Sequence, residues 1–318
     1  MRDRRQTTDD RRRDSRGGTG ARGGASTPRP TPHDPRQTPS DPRAGARATA
    51  FPEPLYLDNH LLVVVKPAGM LSQGDRTGDT DLVTLAKAYL KERFDRPGEV
   101  FVGLVHRLDR PVSGVVVLAR TSKAAARLSA QFRERAVSKR YVALVEGTLT
   151  GGGRRVDWLV KDDETVHVVR PETPGAREAT LSWDAVAALP PGRGGSRTLV
   201  AVTLETGRGH QVRVQMAAMG HPVVGDRRHG AASSWRPGEI ALHALALDIE
   251  HPTQRVPLAF AAAPLDWPAA LAPTLAALAR RAAPEAPDRD APDRDAPDRD
   301  APDRDAPDRD APDRDAVE

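Results

Sequence analysis

Low-complexity sequence at both ends confines any folded core of this 318-residue chain to its middle. Residues 1–50 consist mainly of Arg, Asp, Pro, Gly, Ser and Thr, and residues 286–315 are six consecutive copies of APDRD. Segments so poor in apolar side chains cannot bury enough surface to offset the entropy lost on ordering. We therefore expect disordered arms over 1–50 and 282–318, and one folded domain over 51–281, a length within the single-domain range.

The net charge of +4 conceals an uneven distribution. The first 50 residues carry 12 Arg and 6 Asp, whereas residues 282–318 carry 6 Arg, 12 Asp and 2 Glu, which leaves +6 for the middle of the chain. A basic domain with a basic arm favours a polyanionic partner such as RNA. RGG triplets at 16–18 and 22–24 are typical of RNA-binding tails, although a solvated low-complexity terminus has the same composition.

Several protein classes are excluded by what the sequence lacks. It contains no Cys, so disulfide and thiolate chemistry do not apply. No apolar run approaches the roughly 20 residues that span a membrane, and the Arg-rich beginning has no apolar stretch and too many Asp for a targeting peptide. The motif GTGARG at 18–23 matches a dinucleotide-binding pattern, but no predicted strand precedes it. We expect a cytoplasmic monomer without a membrane segment.

Apolar periodicity predicts an α+β fold. Predicted strands cover 61–65, 101–105, 115–119, 141–145, 198–204 and 240–249, and predicted helices cover 80–94, 122–132, 211–219 and the region of Leu271 to Leu278. Strands outnumber helices without the regular alternation of a parallel sheet. The pattern therefore indicates a mainly antiparallel or mixed central sheet with flanking helices.

One acidic residue lies where a catalytic group is expected. Residues 103–121 read GLVHRLDRPVSGVVVLART, which places Asp109 between Arg107 and Arg110 in a loop that joins two predicted strands. Loops held on a rigid sheet are common positions for catalytic side chains. A carboxylate beside a guanidinium stays ionised, as a nucleophile or base requires. A surface ion pair is the alternative that this stretch by itself leaves open.

A second basic segment, TGRGHQVRVQMAAM at 206–219, reads as a loop that runs into a helix. The free N–H groups at the start of that helix, with Arg208 and His210, form a candidate anion site. An amphipathic helix with an Arg-rich solvent face is the alternative. The five histidines between His210 and His251 match no metal-ligand spacing, and we predict no metal site.

Four separated stretches resemble, in order, the signatures of the RluA-type RNA pseudouridine synthases. They are LLVVVKPAGMLSQ (61–73), HRLDRPVSG (106–114), KRYVALVEG (139–147) and TGRGHQVRVQMAAMGHPVVGD (206–226), followed by LHALALDIEHP (242–252) and PLDWP (264–268). The resemblance covers nearly all of 55–268. It implies the pseudouridine synthase fold and the isomerisation of uridine in ribosomal or transfer RNA to pseudouridine, with no metal or organic cofactor.

Residue roles follow from the same resemblance. Asp109 is expected to be the catalytic aspartate, Tyr141 to pack against the uracil ring, and Arg208 to pair with the aspartate and orient it. RNA contacts are expected from His106, Arg107, Arg110, His210 and Arg213.

Two positions depart from the family pattern. Val112 stands where Thr is common, and Arg228 and His229 stand where an aromatic residue often follows the Gly-Asp pair. These differences bear on substrate choice. An RNA-binding protein of the same fold without isomerase activity is the alternative function, and a metal-dependent nuclease lacks a ligand cluster.

Overall fold

A computed structural model describes residues 50–162, 165–192 and 194–283. The predicted arms over 1–50 and 282–318 lie almost entirely outside these residues. Within the described ranges, no helix is long and apolar enough to cross a membrane.

One mixed sheet organises the described chain. Its strands are β1 (Pro54–Leu57), β2 (Leu61–Lys66), β3 (Gly103–Leu104), β4 (Ser113–Ala119), β5 (Ser138–Glu146), β6 (Gly152–Asp162), β7 (Thr165–Val169), β8 (Arg177–Gly192), β9 (Gly195–Leu204), β10 (Leu242–Glu250) and β11 (Pro257–Ala261). The helices are α1 (Leu82–Arg93), α2 (Ser122–Glu134), α3 (Gln211–Ala218) and α4 (Ala272–Ala282), with 3₁₀ turns at Arg227–His229 and Ala269–Leu271.

The strand order is β1-β2-β4-β10-β5-β9-β8-β6-β7, with β3 paired to β4 and β11 to β10. Every pairing is antiparallel except β4 with β10, which is parallel. The prediction of an α+β fold with a mainly antiparallel sheet is therefore confirmed. Chain segments far apart in sequence meet at the centre of this order, because β4, β10 and β5 are neighbours.

Two apolar cores lie against the sheet. The first contains buried residues of α1, α3 and α4, represented by Leu90, Met216 and Leu275. The second contains Ala124 and Leu128 of α2. Period-2 alternation along the strands separates the two cores, since side chains of successive residues point to opposite faces.

The predicted helices begin at recognisable caps. Asp81 accepts hydrogen bonds from the backbone N–H groups of Val83 and Thr84 and so fixes the start of α1. Thr121 accepts from the N–H of Ala124 at the start of α2. The prediction that Asp109 lies in a loop between two strands is also confirmed, because β3 and β4 pair antiparallel on either side of it.

Gly114 permits the parallel contact between β4 and β10. Its φ is +133°, and a Cβ built there would lie 2.4 Å from both the N and the O of Ala244. Only glycine tolerates this conformation and this approach. The end of the loop that carries Asp109 is therefore fixed against β10 through a position that has no room for a side chain.

Candidate active site

The loop that carries Asp109 is held by the segment that follows β2. The hydroxyl of Ser72 donates to the carbonyl of Leu108 at 2.8 Å and accepts from its N–H at 3.2 Å. The N–H of Gly69 donates to the carbonyl of Arg110 at 2.8 Å. Backbone groups on both sides of Asp109 are thus bonded, and the loop is rigid without any bound substrate.

Asp109 is the exposed end of a buried ionic chain. Its Oδ2 accepts from Nη1 of Arg213 at 2.9 Å. The same guanidinium donates from Nε and Nη2 to the two carboxylate oxygens of Asp226, at 2.6 and 2.8 Å. The side chains of Arg213 and Asp226 are 6% and 2% exposed, whereas that of Asp109 is 26% exposed. A buried bidentate pair therefore aims one guanidinium N–H at a carboxylate that solvent can reach.

Two histidines extend this chain. Nε2 of His210 lies 3.7 Å from Oδ2 of Asp109, and Nδ1 of His210 lies 3.2 Å from Nε2 of His229. An N–H directed at the carboxylate is favoured at Nε2 of His210, so its Nδ1 accepts from His229. Burial lowers the pKa of both rings, that of His229 to about 4, although the charge of Asp109 raises the pKa of His210 in opposition.

Tyr141 reaches the same site from β5. Its pairing partner in β10 is Ala244, which also pairs with Gly114 of β4, and Gly114 pairs with Lys66 of β2. Residues paired across a sheet share a face, so this row brings Tyr141 and Lys66 to the same side. Burial, and then the charge of Asp109, raise the pKa of Tyr141. The phenol stays neutral at physiological pH and lies within electrostatic range of the carboxylate.

Lys66 is a fully buried ammonium under the catalytic loop. Its Nζ donates to the carbonyls of Pro67 at 3.0 Å, Met70 at 2.8 Å and Arg110 at 3.4 Å. Burial lowers its pKa to about 7, while the charge of Asp109 acts in the opposite direction. By donating to three carbonyls, the side chain of Lys66 connects the turn after β2 to the loop of Asp109.

The predicted pairing of Arg208 with Asp109 is wrong. Nε of Arg208 donates to the carbonyl of Glu178 at 2.9 Å, and Arg213 occupies the place beside the carboxylate. Helix α3 begins at Gln211, which puts Arg213 in its first turn, and residues 211–216 are all buried. The alternative of an Arg-rich solvent face on this helix is therefore also wrong.

His106, a predicted RNA contact, is held by bonds within the fold, and its contact with RNA stays a prediction. Nε2 of this ring accepts from the N–H of Val117 at 3.0 Å, and the ring stacks on Phe132 with centroids 4.6 Å apart. Burial lowers its pKa to about 3, so the ring is neutral. His106 faces the packing between β4 and α2 and fixes the base of the loop.

The other predicted RNA contacts divide into two groups. Arg213 is buried and bonded to two carboxylates, so its described partners are within the protein, and its contact with RNA stays a prediction. Arg107 is exposed. Arg110 is half-exposed and forms an ion pair with Asp79, in which Nη2 and Oδ2 are 2.6 Å apart. His210 lies beside Asp109. For these three, the RNA contact stays a prediction as well.

Sequence reasoning assigned no role to Asp226, Ser72 or Lys66. Two of them carried a local signal: Asp226 ends the tight turn GHPVVGD, and Lys66 ends the apolar run LLVVV. A charged residue that terminates a buried strand must find partners or leave the core. Among the described residues, no three His, Cys, Asp or Glu side chains are placed to hold a metal ion.

Cavity size does not mark this site. A cavity of about 1110 Å³ is lined by Phe51, Lys66, Arg110, Trp235 and Trp267, among others, but not by Asp109. A smaller cleft of about 490 Å³ borders Arg213 and Asp226. The ionic chain, rather than the volume of a pocket, identifies the reactive position.

Comparisons with known proteins agree with this fold. The chain is similar to the solved structure of human RNA pseudouridylate synthase domain containing 1, with a TM-score of 0.53 and 25% identity over 70% of this chain and 93% of that one. The family model for RNA pseudouridylate synthases matches residues 60–218. The fold thus defines the class as a pseudouridine synthase.

Sequence relatives narrow the class further. The chain is 37% identical over 202 residues to the dual-specificity RNA pseudouridine synthase RluA of Haemophilus influenzae, covering 62% of this chain and 86% of that protein. It is 33% identical over 199 residues to the uncharacterized RNA pseudouridine synthase YhcT of Bacillus subtilis. That match covers 62% of this chain and spans 64% of the length of YhcT. The chain belongs to the RluA-type family of RNA pseudouridine synthases.

Proposed function

We propose that this chain isomerises uridines within RNA to pseudouridine and that Asp109 is the catalytic carboxylate. The observation that carries the proposal is the ionic chain at the site: a partly exposed carboxylate on a fixed loop, bonded at 2.9 Å to a buried arginine. Arg213 bonds to Asp109 from one side and leaves the other side open to a substrate. That arrangement orients the carboxylate before RNA arrives.

The reaction needs a carboxylate but no redox step and no hydrolysis. The N1–C1′ bond of the uridine breaks, the uracil turns, and a bond forms between C5 and C1′. The proton on C5 is released to solvent, and N1 takes up a proton. Asp109 either attacks C1′ or removes the proton on C2′, and in both roles Arg213 orients the reacting carboxylate.

The target nucleotide has to leave its stack to reach Asp109. Base-modifying enzymes compensate for the lost stacking with aromatic or apolar contacts. We assign this role to the ring of Tyr141, which packs against the first core and lies within electrostatic range of Asp109. A neutral phenol suits contact with a neutral uracil.

The substrate is a structured RNA, with ribosomal and transfer RNA both retained as candidates. We place the protein in the cytoplasm, acting as a monomer and without a metal or organic cofactor. Arg107, Arg110 and His210 are the proposed RNA contacts, because each lies in or beside the loop of Asp109 and is at least partly accessible.

The decisive experiment measures release of label from C5-tritiated uridine in unmodified ribosomal and transfer RNA transcripts. The Asp109→Asn variant should lose about 10⁴-fold or more in rate, as expected for a single essential group. Its affinity for the same transcripts should stay within a few-fold of the original. Asp266→Asn is the matched control, since it changes the same chemical group at a site that is 69% exposed and distant in sequence from the loop.

Two outcomes would overturn the proposal. If the unaltered protein releases no label from either RNA class, the isomerase assignment fails and an RNA-binding protein of the same fold is left. If Asp109→Asn keeps the rate of Asp266→Asn, Asp109 has no part in the chemistry.

A further inference from the structure

Four cations outside the ionic chain lie together at one end of the sheet. Lys139 is the second residue of β5, Arg177 begins β8, Arg208 follows the end of β9, and Arg135 caps the end of α2. We call these four residues the basic cluster. The sheet register explains their proximity. Lys139 pairs with Leu204 at the end of β9, and Leu204 pairs with Leu181 near the start of β8.

The basic cluster has no carboxylate partner within the described part of the chain. Nζ of Lys139 donates to the carbonyl of Thr206 at 3.3 Å, and Nε of Arg208 donates to the carbonyl of Glu178. Arg135 and Arg177 are exposed. These bonds to neutral carbonyls hold two of the cations in place. None of the four forms an ion pair with a carboxylate among the described residues, although the charge of Glu178 offsets part of the repulsion at Arg208.

The four charges are close enough to repel one another. Burial, then the charges of Arg135 and Arg208, lower the pKa of Lys139. Burial, then the charges of Arg135 and Arg177, lower the pKa of Arg208, with Glu178 opposing. Holding like charges together without counter-charges costs folding stability, so such an arrangement is typical of a surface that meets an anion.

The backbone of Arg135 supplies independent support. This residue ends α2 in the left-handed conformation, with φ of 61°. Glycine is the usual residue at that position because any side chain is disfavoured there. A charged, exposed side chain on a residue in this disfavoured conformation points to a function for that side chain.

The basic cluster borders the candidate active site. Lys139 lies two residues before Tyr141 on β5, and Arg208 lies two residues before His210, whose ring is 3.7 Å from Asp109. The positive charge of Lys139 also lowers the pKa of His106, which precedes the exposed Arg107 of the catalytic loop. Positively charged side chains therefore extend from the loop of Asp109 to the end of the sheet.

We propose that the basic cluster binds consecutive phosphates of the RNA strand that flanks the target uridine. This inference rests on the proposed function for the identity of the anion. Four neighbouring cations, two of them held by hydrogen bonds, lie beside a site proposed to act on a nucleotide and suit the charged backbone of its strand. Phosphate contacts position a nucleic acid without reading its sequence. The cluster sets affinity and register, and the chemistry stays with Asp109.

The test compares Arg135→Gly, Arg177→Gln and their combination with the control Arg280→Gln, which removes an equal charge from an exposed site on α4. The binding probe is a fluorescently labelled 20-nucleotide RNA of mixed sequence, titrated between 0.05 and 0.5 M salt, both chosen for the assay. Each lost phosphate contact should make the slope of log K against log salt shallower by about 0.7–0.9. The gain in affinity between 1 M and 0.1 M salt then shrinks by about 5- to 8-fold per lost contact, relative to the unaltered protein.

Stability separates a binding role from a structural one. Arg135→Gly should unfold at the same temperature as the original or higher, because glycine suits the left-handed position, and yet bind RNA more weakly. In label release, the cluster variants should raise KM and leave the single-turnover rate at saturating RNA unchanged. A merely structural role would lower stability and rate together.

The inference is overturned if Arg135→Gly/Arg177→Gln has the same salt slope and KM as Arg280→Gln. Its failure is distinguishable from failure of the proposed function. Weaker binding by the cluster variants, with no label release by the unaltered protein, would support the phosphate surface and refute the isomerase. Label release by the unaltered protein, with a salt slope that the cluster variants do not change, would support the isomerase and refute the phosphate surface.

Discussion

Asp226 offers the sharpest test of how the site is held together. Replacing it with Asn preserves its shape but puts an amide nitrogen, which donates, opposite one N–H of Arg213. The carboxylate oxygens accept from this guanidinium at 2.6 and 2.8 Å, so one of these two hydrogen bonds is lost. Removing one partner of a buried ion pair usually costs about 3–5 kcal/mol. Arg213 keeps its 2.9 Å bond to Asp109, so we expect the lower end, about 3 kcal/mol.

That loss has two measurable consequences. For a domain of this size, about 3 kcal/mol corresponds to a fall in Tm of about 6–12 °C. The guanidinium would also move toward Asp109, and a displacement of about 1 Å at a catalytic group costs on the order of 10²-fold in rate. Urea unfolding, thermal unfolding and C5 label release measure the two effects separately.

Glu205→Gln is the matched control for Asp226→Asn. Arg154 donates to both oxygens of Glu205 at 2.8 Å, so the pair has the same bidentate form, but both side chains are exposed. Exposed pairs contribute little, and this variant should unfold like the original protein. Equal unfolding midpoints for Asp226→Asn and Glu205→Gln would refute the claim that the buried pair braces the catalytic loop.

Three further predictions follow from the loop and its surroundings. Gly114→Ala should lower the free energy of unfolding, measured in urea, by about 3 kcal/mol or more, because the new Cβ would lie 2.4 Å from backbone atoms of Ala244. The control Gly238→Ala, with φ of 73° and open space around the position, should lower it by about 1 kcal/mol. Ser72→Ala leaves the buried N–H and carbonyl of Leu108 unpaired, so it should lower the free energy of unfolding by about 1–3 kcal/mol and slow label release. If neither quantity changes, Ser72 does not hold the loop of Asp109. Acid should destabilise the fold, because burial lowers the folded-state pKa of His106 to about 3 and of His243 to about 4. Below about pH 6.5 these histidines bind protons in the unfolded chain but not in the folded one, so the stability present above that pH is lost as the pH falls toward about 4. Each histidine contributes a loss of up to about 1.4 kcal/mol for each pH unit. A urea midpoint that stays constant between about pH 7 and 4.5 would contradict this.

Local sequence signals predicted the elements near Asp109 well. The runs on either side of the loop and the cap at Asp81 depend on neighbouring residues only, and the strands and helix appear where the pattern indicated. The long strand β8 was harder to predict. It continues through Pro190 and Pro191 to Gly192 by shifting its register against β9, which a proline-based turn signal cannot anticipate.

Partners across the fold could not be read from the sequence. Arg208 and Arg213 are alike in charge and lie five residues apart, and the choice between them depends on where α3 begins and which side of it faces Asp226. His106 is equally ambiguous, because its burial requires the free N–H of Val117 and the ring of Phe132. Both decisions are tertiary. The stretch around Asp109 by itself made this residue only a candidate, and its catalytic role was predicted from the resemblance of several distant stretches to the family.

The clamp formed by Ser72, Gly69 and Lys66 determines which molecule must deform during recognition. With the backbone on both sides of Asp109 already bonded, the protein has little conformational change left to contribute when RNA arrives. The distortion then falls on the RNA, and its cost is the few kcal/mol needed to unstack a base. We expect uridines in loops and at weak stacks to be modified first, so that target choice follows the mechanics of the RNA as much as its sequence.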